Sequence, residues 1–330
     1  MDEFISGATP SLAAAGLGQA LAAAQAACAS QQHPPGVLYV VATPIGNLAD
    51  ISLRALHLLA LADCVACEDT RHTQSLLRAY GIAKSGAHCL ALHQHNEVQA
   101  AQSVIERLRL GQRVVYVSDA GTPAISDPGA RLVAAVRGAG LRVVPLPGAS
   151  SVTAALSVAG LASADAGASQ GEGAALGAGF VSDGFVFVGF LSSKAQAREA
   201  AVAALARESR AVVLLEAPHR IEPLALALAV LGARQLTVAR ELTKQFEEIA
   251  TLAAADFSAW LEAQPQRTRG EFVLVLHPVS AATPAHDGER VLALLLPELP
   301  LKTAVKLAAE ISGQARNDLY ERALQLKNAP

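Results

Sequence analysis

Four polar segments rich in glycine and proline carry the residues best suited to chemistry. They are Thr43-Pro-Ile-Gly-Asn-Leu-Ala-Asp50, Glu68-Asp-Thr-Arg71, Asp119-Ala-Gly-Thr-Pro-Ala-Ile-Ser-Asp-Pro-Gly129 and Pro147-Gly-Ala-Ser-Ser151. Each follows a short apolar, β-branched run, and glycine and proline there let backbone approach a ligand closely and hold its shape. One such segment would be a turn; four on the carboxyl edge of an open α/β sheet predict a ligand crevice. In the richest of them, Asp119 leaves a hydrophobic strand and can accept hydrogen bonds from ribose hydroxyls or an amino group. A carboxylate in a crevice needs such a partner. Gly121 and Thr122 offer backbone N–H groups, whereas Asp127 reads best as the cap of the helix that begins near Gly129. Neither G-x-G-x-x-G nor G-x-x-x-x-G-K-[ST] occurs, so neither a standard dinucleotide fingerprint nor a P-loop is present.

Three further groupings invite chemistry. In His93-Gln-His-Asn-Glu97, two histidines at i and i+2 with Glu97 could ligate a metal or act as a base. A single His-x-His is weak support for a metal, and hydrogen bonding to substrate, or capping of the next helix through Asn96, is the better reading. Cys64-x-x-Cys67 lacks a second pair and lies in an apolar strand, where residues three apart face opposite sides; packing accounts for it. No metal is therefore expected. Glu216-Ala-Pro-His-Arg220, Arg240-Glu-Leu-Thr-Lys244 and Arg269-Gly-Glu271 border other strands. Their Arg220, Arg240, Lys244 and Arg269 would form a positive surface suited to phosphate, although each alone is an ordinary solvated or ion-paired side chain.

The elements that must position these residues alternate. Apolar runs at 37–42, 64–67, 89–92, 113–117 and 142–145 are separated by amphipathic stretches at 51–61, 73–80, 98–110 and 130–139. Strands spaced by single helices predict βαβ units and a mainly parallel, doubly wound sheet. Asp50 and Thr70 signal helix starts, and Gly81, Gly111 and Gly140 signal helix ends. Beyond a Gly/Ala/Ser-rich stretch the alternation resumes, with strands at 185–190, 211–215, 236–240 and 272–277 and helices at 195–206 and 221–231. The expected organisation is a flexible extension over 1–35, an α/β domain over 36–150, a second over 151–280 with a flexible insertion at 162–181, and a helical tail over 287–330. That tail reads as two helices, 302–311 and 317–326, broken at Ser312-Gly313, a spacing that resembles a helix-turn-helix. From Arg290 onward it carries six positive and four negative residues, slightly basic on an acidic protein.

Composition bounds the rest. The chain has 330 residues, 26 Lys+Arg against 29 Asp+Glu, four Cys, and 52% hydrophobic but only 4% aromatic residues. Collagen, coiled coil, disulfide scaffold and wholesale disorder all fail on these numbers. A net charge of −3 argues against coating nucleic acid by bulk charge, though not against a local basic patch. The first basic residue is Arg54, so no signal peptide is expected, and the apolar stretch at 12–29 is mostly Ala and Gly, which gain little from lipid. No membrane association is expected, and a cytoplasmic location fits the scattered cysteines.

Taken together the segments resemble one family, the bacterial 16S rRNA ribose 2′-O-methyltransferases of the tetrapyrrole-methylase-like (class III) superfamily. Besides the words already quoted, Leu38-Tyr-Val-Val-Ala-Thr-Pro, Gly189-Phe-Leu191 and the tail from Glu298-Leu-Pro-Leu-Lys302 to Asn317-Asp-Leu-Tyr320 carry the resemblance, which runs from Gly36 to Leu326 in order. Residues 1–35 have no counterpart, 163–181 resembles an insertion, and Leu191-Ser-Ser-Lys194 stands where the family usually shows a proline after the leucine. The resemblance implies two α/β/α domains with a small helix-turn-helix-like C-terminal module, S-adenosyl-L-methionine (SAM) in the cleft between them, and a homodimer. By position, Pro44, Asp119, Ala120, Gly121, Thr122, Ile125, Ala149, Ser150 and Ser151 would hold the cofactor, with Leu191 and Ala217 closing from the second domain. Among the groups facing 16S rRNA in the small ribosomal subunit, Asp69, His95 and Glu97 would be candidates for taking the 2′-hydroxyl proton, with Arg71 or Lys244 placing the adjacent phosphate. Arg220, Arg240, Lys244, Lys302, Lys306 and Arg316 would contact RNA. The alternatives are a tetrapyrrole or other small-molecule SAM methyltransferase of the same superfamily, and a non-catalytic RNA-binding module.

Overall fold

The computed structural model describes residues 14–93, 96–161, 184–279, 287–312 and 314–328. His95 and the expected insertion at 162–181 lie outside the described residues.

The first sheet holds β1 (Val37–Val41), β2 (Cys64–Cys67), β3 (Cys89–Ala91), β4 (Val114–Val117) and β5 (Arg142–Leu146), in the order β3-β2-β4-β1-β5. Every pairing in it is parallel. The two-residue period of a strand explains its layering. Val37, Tyr39 and Val41 of β1 enter a core with Leu58 and Leu59 of α2 (Leu53–Leu61) and Leu77 of α3 (Thr70–Ala79). Leu38 points the other way, into a core with Val104 and Leu108 of α4 (Glu97–Arg109) and Leu132 and Val136 of α5 (Gly129–Gly138). Cys67 and Cys64 divide in the same manner, one in each core, and burial pushes the Cys67 thiol up to about 12. The helix starts fall one or two residues from the expected ones. Ser52, not Asp50, caps α2 by accepting from Ala55 N, and Asp69, not Thr70, caps α3.

The second sheet is mixed. It holds β6 (Phe185–Gly189), β7 (Ala211–Glu216), β8 (Gln235–Arg240), β9 (Glu248–Ala253) and β10 (Phe272–Leu276), in the order β6-β7-β10-β8-β9. Only β6 and β7 run parallel; β10 is antiparallel to both neighbours, and β9 to β8. Its Val212, Leu214, Val238 and Leu274 pack under α7 (Ala195–Leu205), α8 (Ile221–Leu228) and α9 (Phe257–Glu262). The opposite face, with Val213, Ala239, Val273 and Val275, is covered by α6 (Ser151–Val158). Since α6 follows β5 directly, this packing joins the two halves, and Ile45 from the first half reaches the same core. β9 is a strand that patterning missed, because Glu248-Ile-Ala-Thr-Leu-Ala253 is an alanine-diluted, half-exposed edge.

Two terminal regions are more ordered than their composition suggests. Residues 14–30, expected to be floppy or weakly helical, form α1 (Ala14–Ser30), which packs on α2 and buries Cys28. Its exit is fastened by Arg113 Nε donating to His33 O (2.8 Å) and Tyr39 OH donating to Pro34 O (3.0 Å). The tail has three helices where two were expected: α10 (Asp287–Leu295), α11 (Leu301–Ser312) and α12 (Arg316–Asn328). They share a core of Leu292, Ala304, Val305, Ala308, Leu319 and Ala323. α10 brings Asp287 and Glu289 into the module, so its six cations face six anions and the expected excess of positive charge disappears. Among the described residues no helix is long and apolar enough to cross a membrane.

Candidate functional site

The glycine-bearing loops meet as one edge. Thr43 and Gly121 exchange backbone hydrogen bonds of 3.0 and 3.1 Å, Thr43 Oγ1 donates to Ser118 O, and Thr122 Oγ1 donates to Ala149 O. Gly121 adopts φ +78°, a left-handed conformation that favours glycine. Pro44, Asp119 to Thr122 and Ala149 are thereby held in one ledge. Within the 119–129 loop, Asp127 works as a clamp. Its carboxylate accepts from Tyr116 OH (2.8 Å), from Ala124 N and from Gly129 N, and so holds Ala124 at φ +67°. A non-glycine residue costs about 1 kcal/mol or more there, which the clamp offsets.

Opposite this ledge lie the ends of the second sheet. The carboxyl ends of β1, β4, β6, β7 and β8, the start of α6 and the amino end of antiparallel β10 border a cleft of about 320 Å³. Its lining includes Ile45, Ala120, Ser151, Phe190, Leu215, Glu216, Ala217, Leu242, Glu271 and Phe272. A smaller recess of about 170 Å³ shares Ala120, Ser151 and Leu215 with it, and its lining adds Glu68, Ser118, Asp119, Gly121, Thr122, Ile125, Asp127 and Ser150 among others. The domains approach closely here: a Cβ on Gly46 would strike Lys244 Cγ, so any larger residue would have to displace that side chain. Of the residues expected to hold a cofactor, Asp119, Ala120, Gly121, Thr122, Ile125, Ser150, Ser151 and Ala217 line the two cavities. Pro44, Ala149 and Leu191 stand behind them, Leu191 buried at 6% exposure in the core of the second domain.

The acids differ in what they are free to do. Asp69 caps α3, and the backbone N–H groups of Arg71 and His72 hold its carboxyl below the usual range. Its own N–H donates to Asp119 Oδ1 at 3.2 Å, linking two of the loops. Glu97 is ion-paired with Arg131 at 2.6 Å, its side chain 10% exposed, so it is not the unengaged base that its position suggested. Asn96 does not cap α4 with its side chain; Oδ1 accepts from His93 N and Nδ2 donates to Ala91 O, closing the loop instead. Glu68 is the perturbed acid. Burial, with the charges of Asp127 and Asp119 beside it, pushes its carboxyl up to about 6. Among the described residues no cluster of His, Cys, Asp and Glu is placed to hold a metal.

The basic residues also divide. Arg240 is 5% exposed and donates to three carbonyls, those of Arg269, Phe246 and Gln266, so it presents no charge to an RNA surface. Arg220 is three-quarters buried, 3.1 Å from Glu216, and donates to Leu191 O. Lys244 bridges Glu241 (2.8 Å) and Glu271 (2.9 Å) at the rim. Lys302, Lys306 and Arg316 are exposed on the helical module, while Arg71 and Arg131 are 92% and 80% exposed near the recess. Sequence reasoning did not single out Ile45, Phe190, Leu215, Leu242 or Glu271 as lining, nor Arg131 as a partner of Glu97. Ile45, Phe190, Leu242 and Glu271 lie inside segments already quoted and Leu215 borders one, and that was the one available signal.

The family model of the tetrapyrrole (corrin/porphyrin) methylases matches residues 37–257, and that of the RsmI C-terminal HTH domain matches residues 282–327. The ribosomal RNA small subunit methyltransferase I of Escherichia coli O157:H7 is 44% identical over 300 residues, covering 90% of this chain and 97% of its own. The protein of the same name from Pseudomonas aeruginosa is 44% identical over 300 residues, with 88% and 97% covered. Among solved structures, the methyltransferase CobJ superposes with a TM-score of 0.51 at 18% identity, over 74% of this chain and 95% of its own. The cobalamin biosynthetic enzyme cobalt precorrin-4 methyltransferase, CbiF, gives 0.50 at 19%, over 74% and 98%. That second likeness is one of fold. With one family model matching two thirds of the chain, a second matching its helical tail, and relatives this close over nine-tenths of its length, the chain belongs to the tetrapyrrole methylase family, in its ribosomal RNA small subunit methyltransferase I branch.

Proposed function

We propose that the chain transfers the methyl group of SAM to a ribose 2′-oxygen of small-subunit ribosomal RNA, at a cytidine of the decoding region. The observation that carries the reading is the interdomain cleft, apolar at one end and acid-lined at the other. Its combined volume falls in the range of roughly 300–1,000 Å³ usual for small-molecule sites. Apolar Leu215, Leu242 and Phe272 suit a nucleobase, and Asp119 in the recess suits a cationic sulfonium and donor groups. When bound, SAM supplies an electrophilic methyl group. The remaining task is positioning and removal of one proton, and alignment alone is worth about 7–11 kcal/mol in favourable cases.

The proton acceptor we assign is Glu68 rather than Asp69. Asp69 is weakened as a base by the α3 N-terminus, whereas Glu68 sits in the recess beside Asp119 with a pKa nearer the working pH. Arg71, Arg131 and Lys244 at the rim, and Lys302, Lys306 and Arg316 on the module, supply phosphate contacts without bulk positive charge. The family resemblance further supports a homodimer in the cytoplasm, and sedimentation of the purified chain tests the first of these.

The deciding experiment is methyl transfer from labelled SAM to small subunits that lack the modification, followed by nucleoside analysis. Label is expected in 2′-O-methylcytidine; label on a base, or on a tetrapyrrole offered in parallel, would overturn the reading. Asp119→Ala is expected to weaken SAM binding about 10-fold or more by removing a charged acceptor, with little loss of stability because its bond to Asp69 N is exposed and 3.2 Å long. Unchanged affinity by calorimetry would remove Asp119 from the site.

A further inference from the structure

Among the described residues lining the cleft, one carries a polar atom that the others leave unsatisfied. Glu216 ends β7 at 2% exposure, its side chain at 1%. Oε1 accepts from Ala217 N at 2.9 Å and lies 3.1 Å from Arg220 Nε, an ion contact without hydrogen-bond alignment. Oε2 is buried and has no hydrogen-bond partner among the described residues. A buried carboxylate oxygen without a donor is unfavourable and uncommon, and this one belongs to a residue lining the cleft.

The surroundings select the donor that would complete it. Leu215, Ala239, Leu242, Phe272 and Val273 make this part of the cleft apolar. A sulfonium has no hydrogen to donate, and ribose hydroxyls suit the polar recess beside Asp119. An exocyclic amine on an aromatic base can be buried among apolar side chains while donating to a carboxylate. Adenine and cytosine both carry one. A cytidine within RNA has a phosphate on either side, which apolar walls would strip of water at high cost, whereas the nucleoside of SAM has none. We infer that Glu216 Oε2 accepts the exocyclic amine of the donor's adenine, so that Glu216 is the residue that selects adenine in the cleft. This rests on the reading of SAM as the cofactor.

Calorimetry with S-adenosyl-L-homocysteine and its 6-oxo analogue, S-inosyl-L-homocysteine, tests the assignment. The wild-type protein is expected to favour the adenosyl compound by about 10- to 100-fold, because the oxo group presents an acceptor to an acceptor. In Glu216→Gln the preference should fall to within about 3-fold, since an amide can donate as well as accept. A purely structural Glu216 would change both affinities together and leave their ratio intact. Equal binding of the two compounds by the wild type overturns the inference whether or not the variant folds, and so does an unchanged ratio in a folded variant. Loss of discrimination between cytidine and uridine substrates in Glu216→Gln, with the adenosyl preference kept, would reassign the oxygen to the target base and overturn it too. A wild type that binds neither compound removes the proposed cofactor itself, a distinct result from binding both alike.

Discussion

Arg240→Ala is expected to destabilise the protein by about 3–5 kcal/mol and to leave the intrinsic affinity for RNA unchanged at temperatures where the variant is folded. The guanidinium is 5% exposed; Nε donates to Arg269 O at 2.7 Å, Nη1 to Phe246 O at 3.2 Å and Nη2 to Gln266 O at 2.8 Å. Truncation strands three carbonyls, each previously paired with a charged donor. Glu248 is not stranded with them, because Arg267 holds it at 2.6 Å. The three carbonyls belong to the loops that shape Glu241 and Thr243, both at positive φ, and that place Lys244 against Gly46 across the domain boundary. Arg240→Lys should recover little, since an ammonium cannot reproduce a planar fork aimed at three acceptors. Urea titration and RNA binding on the same variants separate the roles. A stable Arg240→Ala with weakened RNA affinity would restore the surface role that its sequence position suggests.

That arginine shows where sequence stops informing. The strands were legible because β1, β4, β7 and β10 are buried on both faces and therefore read as unbroken apolar runs. The ledge at 43–50 and 119–129 was legible because its glycines and prolines answer local backbone demands. Side-chain direction is different, since it depends on residues far along the chain. Arg240 turns inward to carbonyls 26 and 29 residues away, and Glu97 meets Arg131 34 residues on. The tail's charge excess vanished because α10 begins at Asp287, just before the Arg290 from which the sequence reading counted. The same non-locality hid the most perturbed acid of the recess: Glu68 owes part of its shift to Asp119 and Asp127, which only the sheet brings near.

Glu68→Gln is therefore expected to lower turnover by about 10²–10⁴-fold while SAM affinity stays within a few-fold, because the amide keeps the shape of the recess but cannot take a proton. In the wild type, activity should rise through about pH 6 as Glu68 ionises, and that limb should vanish in the variant. Stability moves the opposite way. The folded-state value, about 6, lies above the ordinary 4.5, so the folded protein binds this proton more tightly than the unfolded chain does. The stabilisation from protonation is complete below 4.5 and is lost as pH rises through about 6, where burial and the charges of Asp127 and Asp119 oppose the carboxylate. Glu68→Gln should accordingly melt higher than the wild type above pH 6 and close to it below pH 4.5. Asp69→Asn provides the contrast: it should keep the acidic limb and leave turnover far closer to wild type. A Glu68→Gln enzyme with wild-type turnover and an intact limb near pH 6 would return the proton to another group. A variant both more stable and nearly inactive at neutral pH would mark Glu68 as a charge retained in the recess for its chemistry at a cost to the fold.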